Sequence, residues 1–169
     1  WGHGNGWLGC CPDTRSKDII SINELQQLHQ PIDVLMFYSC SMGIAEVAYA
    51  LRDVADYIVA CEGLLPITGL SVNTLFSNFD VSMNPEEIAS YIINQYAIYN
   101  GYLSTSYAAL NTSRLPSLVN AFSNMMEALV NIDSTQLLSL RNMSSYTTTN
   151  IDLYSFVSNL IEIFDFVQV

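Results

Sequence analysis

Cys40 and His3 are the side chains whose chemistry stands out in this sequence. Cys40 closes the stretch Asp33-Val-Leu-Met-Phe-Tyr-Ser-Cys40 and is followed by Ser41, Met42 and Gly43. A cysteine attacks carbonyl carbon as its thiolate. His3 lies in Gly2-His-Gly-Asn-Gly6, and an imidazole takes and returns protons near neutral pH. The flanking glycines let this backbone come close to a substrate and leave the N–H of Gly4 unshielded. The two would be a nucleophile and its base if the fold brings them within reach.

Several elements would have to position them. Ile32 and Val34 to Phe37 form a short apolar run bounded upstream by Pro31, the length of a strand buried on both faces of a parallel sheet. Residues 43–52 predict a helix with Ile44, Val47, Ala48 and Leu51 on one face. Cys40 is therefore expected in the turn that enters this helix, where N–H groups and the helix dipole favour a thiolate. Residues 57–61 predict a second buried strand, and residues 62–70 a loop placed to line a pocket.

Elsewhere, residues 9–18 are rich in turn formers and read as an exposed loop, with Ile19-Ile20 as a short edge strand. Ser21-Ile-Asn-Glu24 is a capping box that opens a helix to about His29, which reads as a surface residue at the helix end. Residues 72–79 predict a short helix. Asn84-Pro-Glu-Glu87 opens another, with Ile88, Tyr91, Ile92, Tyr96 and Tyr99 as its buried stripe. Residues 101–110 begin with strand-like alternation. Two further helices are predicted over 115–129 and 153–166, the first with Leu118, Phe122, Met125 and Met126 at helical spacing, the second with Phe156, Val157, Leu160 and Ile161.

His3-Gly4-Asn5-Gly6-Trp7, Glu24-Leu25, Asp33 to Phe37, Cys40, Met42 and Glu46 to Arg52 together resemble the clostripain family of cysteine peptidases. The likeness continues through Ala55-Asp56-Tyr57 and Pro85-Glu86-Glu87, and more loosely through Ile151 to Tyr154. It covers most of the chain, densely over residues 1–62. The resemblance implies an α/β fold, a caspase-like three-layer α/β/α sandwich that is partial here, with its N-terminal strands missing. A mainly helical C-terminal part would follow, giving a catalytic part over 1–80 and a helical part over 81–169 packed on it. It implies a Cys/His dyad in which Cys40 attacks a peptide carbonyl and His3 handles protons. The N–H groups of Gly4 and Cys40 would form the oxyanion hole. It also implies a peptide or protein substrate and a bacterial protein that is extracellular or held in the cell envelope. No cofactor is expected from the residues, and calcium dependence is raised by the resemblance alone. Glu46 reads as a local salt-bridge or capping residue rather than a third catalytic group.

The sequence departs from the family where specificity is set. Members that cleave after Arg or Lys carry an Asp two residues before the nucleophile and a second in the loop after the next strand. Tyr38 and Thr68 stand at those positions. The substrate pocket expected from them lacks the acids that hold a basic side chain, so specificity shifts away from Arg and Lys. Self-cleavage at Lys17, in the loop between His3 and Cys40, is accordingly not expected. The competing reading is a catalytically inactive caspase-like binding module. Tyr-Ser-Cys-Ser around Cys40 favours it; intact His3, Gly4 and Cys40 oppose it.

Bulk properties narrow the classes further. The 169 residues are 50% hydrophobic and 12% charged, enough for one sizeable core or for one domain plus a helical extension. Sixteen acidic against five basic side chains give −11, which repels phosphate backbones and argues against a nucleic-acid partner. No apolar run reaches the roughly 18 residues of a membrane span. Of the cysteines, Cys10 and Cys11 are adjacent, which suits neither a pair of disulfides nor zinc-ligand spacing, and Cys61 reads as core. The chain opens on Trp1 and ends while still apolar, so it is expected to be part of a longer protein.

Overall fold

The computed structural model describes residues 2–66, 70–100, 106–147 and 150–164. Along them run β1 (Cys10–Asp13), β2 (Asp18–Ile20), α1 (Ile22–Leu25), β3 (Ile32–Met36), α2 (Ala45–Ala50), β4 (Ala55–Cys61), α3 (Val72–Ser77) and α4 (Pro85–Tyr99). These are followed by β5 (Tyr107–Asn111), α5 (Leu115–Leu129), α6 (Ser134–Met143) and α7 (Leu153–Phe164). The fold is mixed α/β and divides into two compact units, residues 1–119 and 120–169. The first unit extends past residue 80, because α4 packs on the sheet and β5 pairs with β4.

The first unit is built on a sheet of order β3-β4-β5, with β3 parallel and β5 antiparallel to β4. Side chains alternate across a strand, and β4 uses both directions. Ile58 and Ala60 join a core with Val47, Ala48 and Leu51 around α2 and with Ile22 of α1. Val59 and Cys61 join another with Leu75 of α3 and Ala89, Ile92 and Tyr96 of α4. Helices thus cover both faces, which is why β4 reads as an unbroken apolar run. Thr112 anchors the start of β4, its hydroxyl lying 2.8 Å from the Ala55 carbonyl and 2.9 Å from that of Asp56.

Four expectations are corrected. β3 is not buried on both faces: Asp33 is exposed and its neighbours half-buried, because β3 pairs with β4 alone among the described residues. Residues 9–18 are not a plain loop but the hairpin β1–β2, with an irregular register between Cys10 and Asp13. Its tip is closed by Asp13, whose carboxylate accepts from the Arg15 and Ser16 N–H groups and holds its own pKa below the usual range. The capping box at Ser21 and Glu24 forms, but α1 stops at Leu25. Tyr99 is 46% exposed rather than part of the buried stripe of α4.

The second unit is helical. Leu129, Leu140, Phe156 and Leu160 form its core. Asp133 caps α6 by accepting from the Thr135 and Gln136 N–H groups; α6 has no counterpart among the predicted elements. Thr68, the first part of the strand expected over 101–110 and the end of the last predicted helix lie outside the described residues.

Candidate active site

Cys40 is not at a helix N-terminus. After Met36 the chain stays beside β4: the N–H groups of Phe37, Ser41 and Gly43 donate to the carbonyls of Val59, Gly63 and Cys61, each at 2.8 Å. α2 begins only at Ala45, after Ile44 as its N-cap, and is six residues long. The predicted helix starts late because β4 and the residues after it keep offering carbonyls to this segment. Ser41, with φ 57, turns the chain immediately after the nucleophile candidate. What positions Cys40 is therefore a hydrogen-bonded shoulder of the sheet.

The His3 segment lies against that shoulder. Cys11 N–H donates to His3 O at 2.7 Å and Asn5 N–H to Gly9 O at 2.9 Å, bracketing a bridge between Gly4 and Cys10. In such an antiparallel pairing His3 and Asn5 turn their groups toward the hairpin, and Gly2 and Gly4 turn theirs the other way. Gly2 N–H duly donates to Tyr38 O at 3.3 Å. By the same alternation the Gly4 N–H is turned away from the hairpin. A Cβ on Gly4 would stand 1.9 Å from Cys40 O and 3.0 Å from Met42 Cγ, so only glycine fits there. The N–H groups of Gly4 and Cys40 donate to no acceptor among the described residues.

The structure thus joins the backbones of the two motifs. The imidazole of His3 is exposed, and among the described residues it makes no hydrogen bond to the Cys40 thiol. The half-buried thiol instead accepts from Leu65 N–H at 3.3 Å. Leu65 precedes Pro66, which confines it to extended backbone. Gly63, which receives the Ser41 bond, is itself held by its N–H to Ser106 Oγ at 3.1 Å. Leu65 and Ser106 did not stand out in the sequence; Pro66 is the one signal near them.

Tyr38 ties the site together. Its carbonyl holds Gly2, and its hydroxyl accepts from Leu70 N–H at 2.6 Å. The phenol is thus committed to the loop after β4. Behind it the Tyr107 hydroxyl donates to Phe37 O at 3.3 Å; burial pushes its pKa up and keeps it a donor. Glu46 and His29 are exposed. Among the described residues no group of three or more His, Cys, Asp or Glu side chains could hold a metal ion. No helix is long and apolar enough to cross a membrane among the described residues. At the opposite end of the sheet a cavity of about 400 Å³ is lined by Asp56, Tyr57, Asn84, Glu86, Asn111 and Thr112 among others.

The sequence profile described as the clostripain family matches residues 1–168. Among solved structures the chain is similar to an inactive zymogen C11 protease from Parabacteroides distasonis, at 23% identity and a TM-score of 0.65, over 94% of this chain and 47% of that one. It is also similar to a secreted C11 cysteine protease from Bacteroides thetaiotaomicron, at 22% and 0.63, over 92% of this chain and 50% of that one. A clostripain from the same organism, solved with a peptide inhibitor, matches at 20% and 0.58, over 85% of this chain and 67% of that one. These likenesses speak for the fold, and the chain spans about half the length of the first two. A search of curated proteins finds no significant match.

Proposed function

The chain belongs to the clostripain family, and from that premise we propose that it carries the catalytic centre of a cysteine endopeptidase. The observation that carries this reading is the contact of Gly4 with the Cys40 carbonyl, with both residues' N–H groups uncommitted among the described residues. In this mechanism Cys40 Sγ, its proton taken by His3, attacks the scissile carbonyl carbon. The oxygen that becomes negative is held by the N–H groups of Gly4 and Cys40, donors that need no reorganisation. Collapse expels the amine, protonated by His3, and leaves a thioester on Cys40. Water, deprotonated by His3, then releases the acid. The fold likeness and the two-sided cover of β4 support a caspase-like three-layer sandwich. The secreted relative supports an extracellular or envelope location.

Tyr38 and Thr68 are proposed as pocket residues for a neutral side chain. The phenol of Tyr38 brings no charge, and an unpaired buried cation costs several kcal/mol, so Arg and Lys substrates should lose on the order of 10²-fold in kcat/KM. By the same logic the hairpin tip at Lys17 stays uncut. The exposed His3 ring and its missing bond to Cys40 favour the second reading, a catalytically inactive binding module. A fluorogenic library scanning the residue before the scissile bond, applied to full-length protein, separates these. Turnover with neutral residues is expected. A preference for Arg or Lys would overturn the pocket assignment, and no turnover from folded protein would leave the binding module.

A further inference from the structure

In an extended strand neighbouring side chains point to opposite faces, which would keep the thiols of Cys10 and Cys11 apart. Here the strand bulges. Cys11 has φ 57, left-handed and unfavourable for a residue with a Cβ, and it precedes Pro12, which restricts it further. The pairing of β1 with β2 slips between Cys10 and Asp13, and Cys11 lies close enough to add to the burial that raises the Cys10 pKa. Cys10 is buried, whereas Cys11 is half-buried with its Sγ 3.0 Å from where a Cβ on Gly2 would stand. Both residues hold the His3 segment: Cys11 N–H donates to His3 O, and Cys10 bridges Gly4.

We propose that Cys10 and Cys11 are a modification site, a vicinal dithiol that exchanges with low-molecular-weight disulfides and thereby moves the His3 segment. The half-buried Cys11, as its thiolate, attacks one sulfur of a small disulfide and releases the first small thiol. Cys10 then attacks the Cys11 sulfur, breaks the mixed disulfide and releases the second. Two protein thiols are oxidised to one disulfide, one small disulfide is reduced to two thiols, and the protons of Cys10 and Cys11 end on those thiols. Consecutive Cα atoms lie about 3.8 Å apart, inside the roughly 4.4 Å at which ordinary disulfides begin. The bond is therefore strained and easily reduced, which suits a switch. Closing it redraws the Cys10–Cys11 peptide, whose N–H holds His3 O and whose Cys10 bridges Gly4, and so shifts the segment that carries both.

The effect on turnover rests on the peptidase reading; the thiol chemistry does not. Full-length protein is incubated with oxidised glutathione, then peptide-mapped by mass and assayed on its best fluorogenic substrate. The peptide holding residues 10 and 11 should lose two hydrogens and carry no glutathione. Turnover should fall about tenfold and return with dithiothreitol, while Cys11→Ser and Cys10→Ala, checked for native-like melting, stay within about twofold. Thiols left unchanged, or a stable glutathione adduct on Cys11, would overturn the site. Equal inactivation of both variants would place the oxidation at Cys40 and overturn the coupling. A protein that forms the disulfide but never turns over substrate refutes the peptidase and leaves the dithiol standing.

Discussion

Where β4 begins, several polar groups are spent on one another. The Thr112 hydroxyl lies on the carbonyls of Ala55 and Asp56, Asn111 Nδ2 donates to the Tyr57 hydroxyl at 3.0 Å, and Asn84 and Glu87 close a capping box on α4. The cavity of about 400 Å³ sits among these partners. Where β4 ends, the N–H groups of Phe37, Ser41 and Gly43 are spent on carbonyls, but, among the described residues, those of Gly4 and Cys40 are not. An unpaired donor costs stability wherever water is excluded, so two of them on segments in contact point to use. The contrast teaches that unspent donors, more than cavity volume, mark where a developing negative charge would be held.

The hardest blow to that contrast is to disable each end in turn. Cys40→Ala in full-length protein should lower kcat/KM by roughly 10³-fold or more, while Glu86→Gln at the other end stays within about twofold. Comparable losses would mean that the cavity end does the chemistry. A subtler change sharpens the picture. Gly4→Ala adds one methyl group where Cys40 O stands 1.9 Å away, so the His3 segment must retreat by about an ångström, and kcat/KM should drop on the order of 10²-fold with the circular dichroism unchanged. A variant within threefold of the parent would show that this contact is not needed.

The smallest effect is one of pH. Burial first, then the hydrogen bond to Cys11, pushes the Cys10 thiol from 9.0 up to about 11. A folded-state value above the unfolded one gives stability that is whole below pH 9 and fades as pH climbs through about 11. The melting temperature should slide by a few degrees across that window, and Cys10→Ala should flatten this part of the slope. An unchanged slope would show that the thiol is not sequestered as the hairpin places it.

Much of the scaffold was legible from residue types. β4, α4 and α5 carry long, regular apolar patterns, and Asn84-Pro85 announces its helix. The proposed site was legible in its parts: Cys40 and His3 by chemistry, Gly4 by its lack of a side chain. What stayed hidden depends on backbone partners far along the chain. The delayed start of α2 is set by carbonyls of Val59, Cys61 and Gly63, and the bond from Leu65 N–H to Cys40 belongs to no side-chain pattern. The hairpin at residues 10–20 hid for another reason: Cys11 and Lys17 take left-handed conformations that sequence normally assigns to glycine.

The alternation of spent and unspent amides along residues 37–43 also divides the segment in time. Ser41 and Gly43, bonded to the shoulder of β4, should give up their amide hydrogens to deuterium only when that shoulder opens. Cys40 sits between Phe37 and Ser41, and its amide should trade its hydrogen without waiting for any opening. The N–H of Cys40, the proposed nucleophile, would thus be ready for a ligand while its neighbours stay locked.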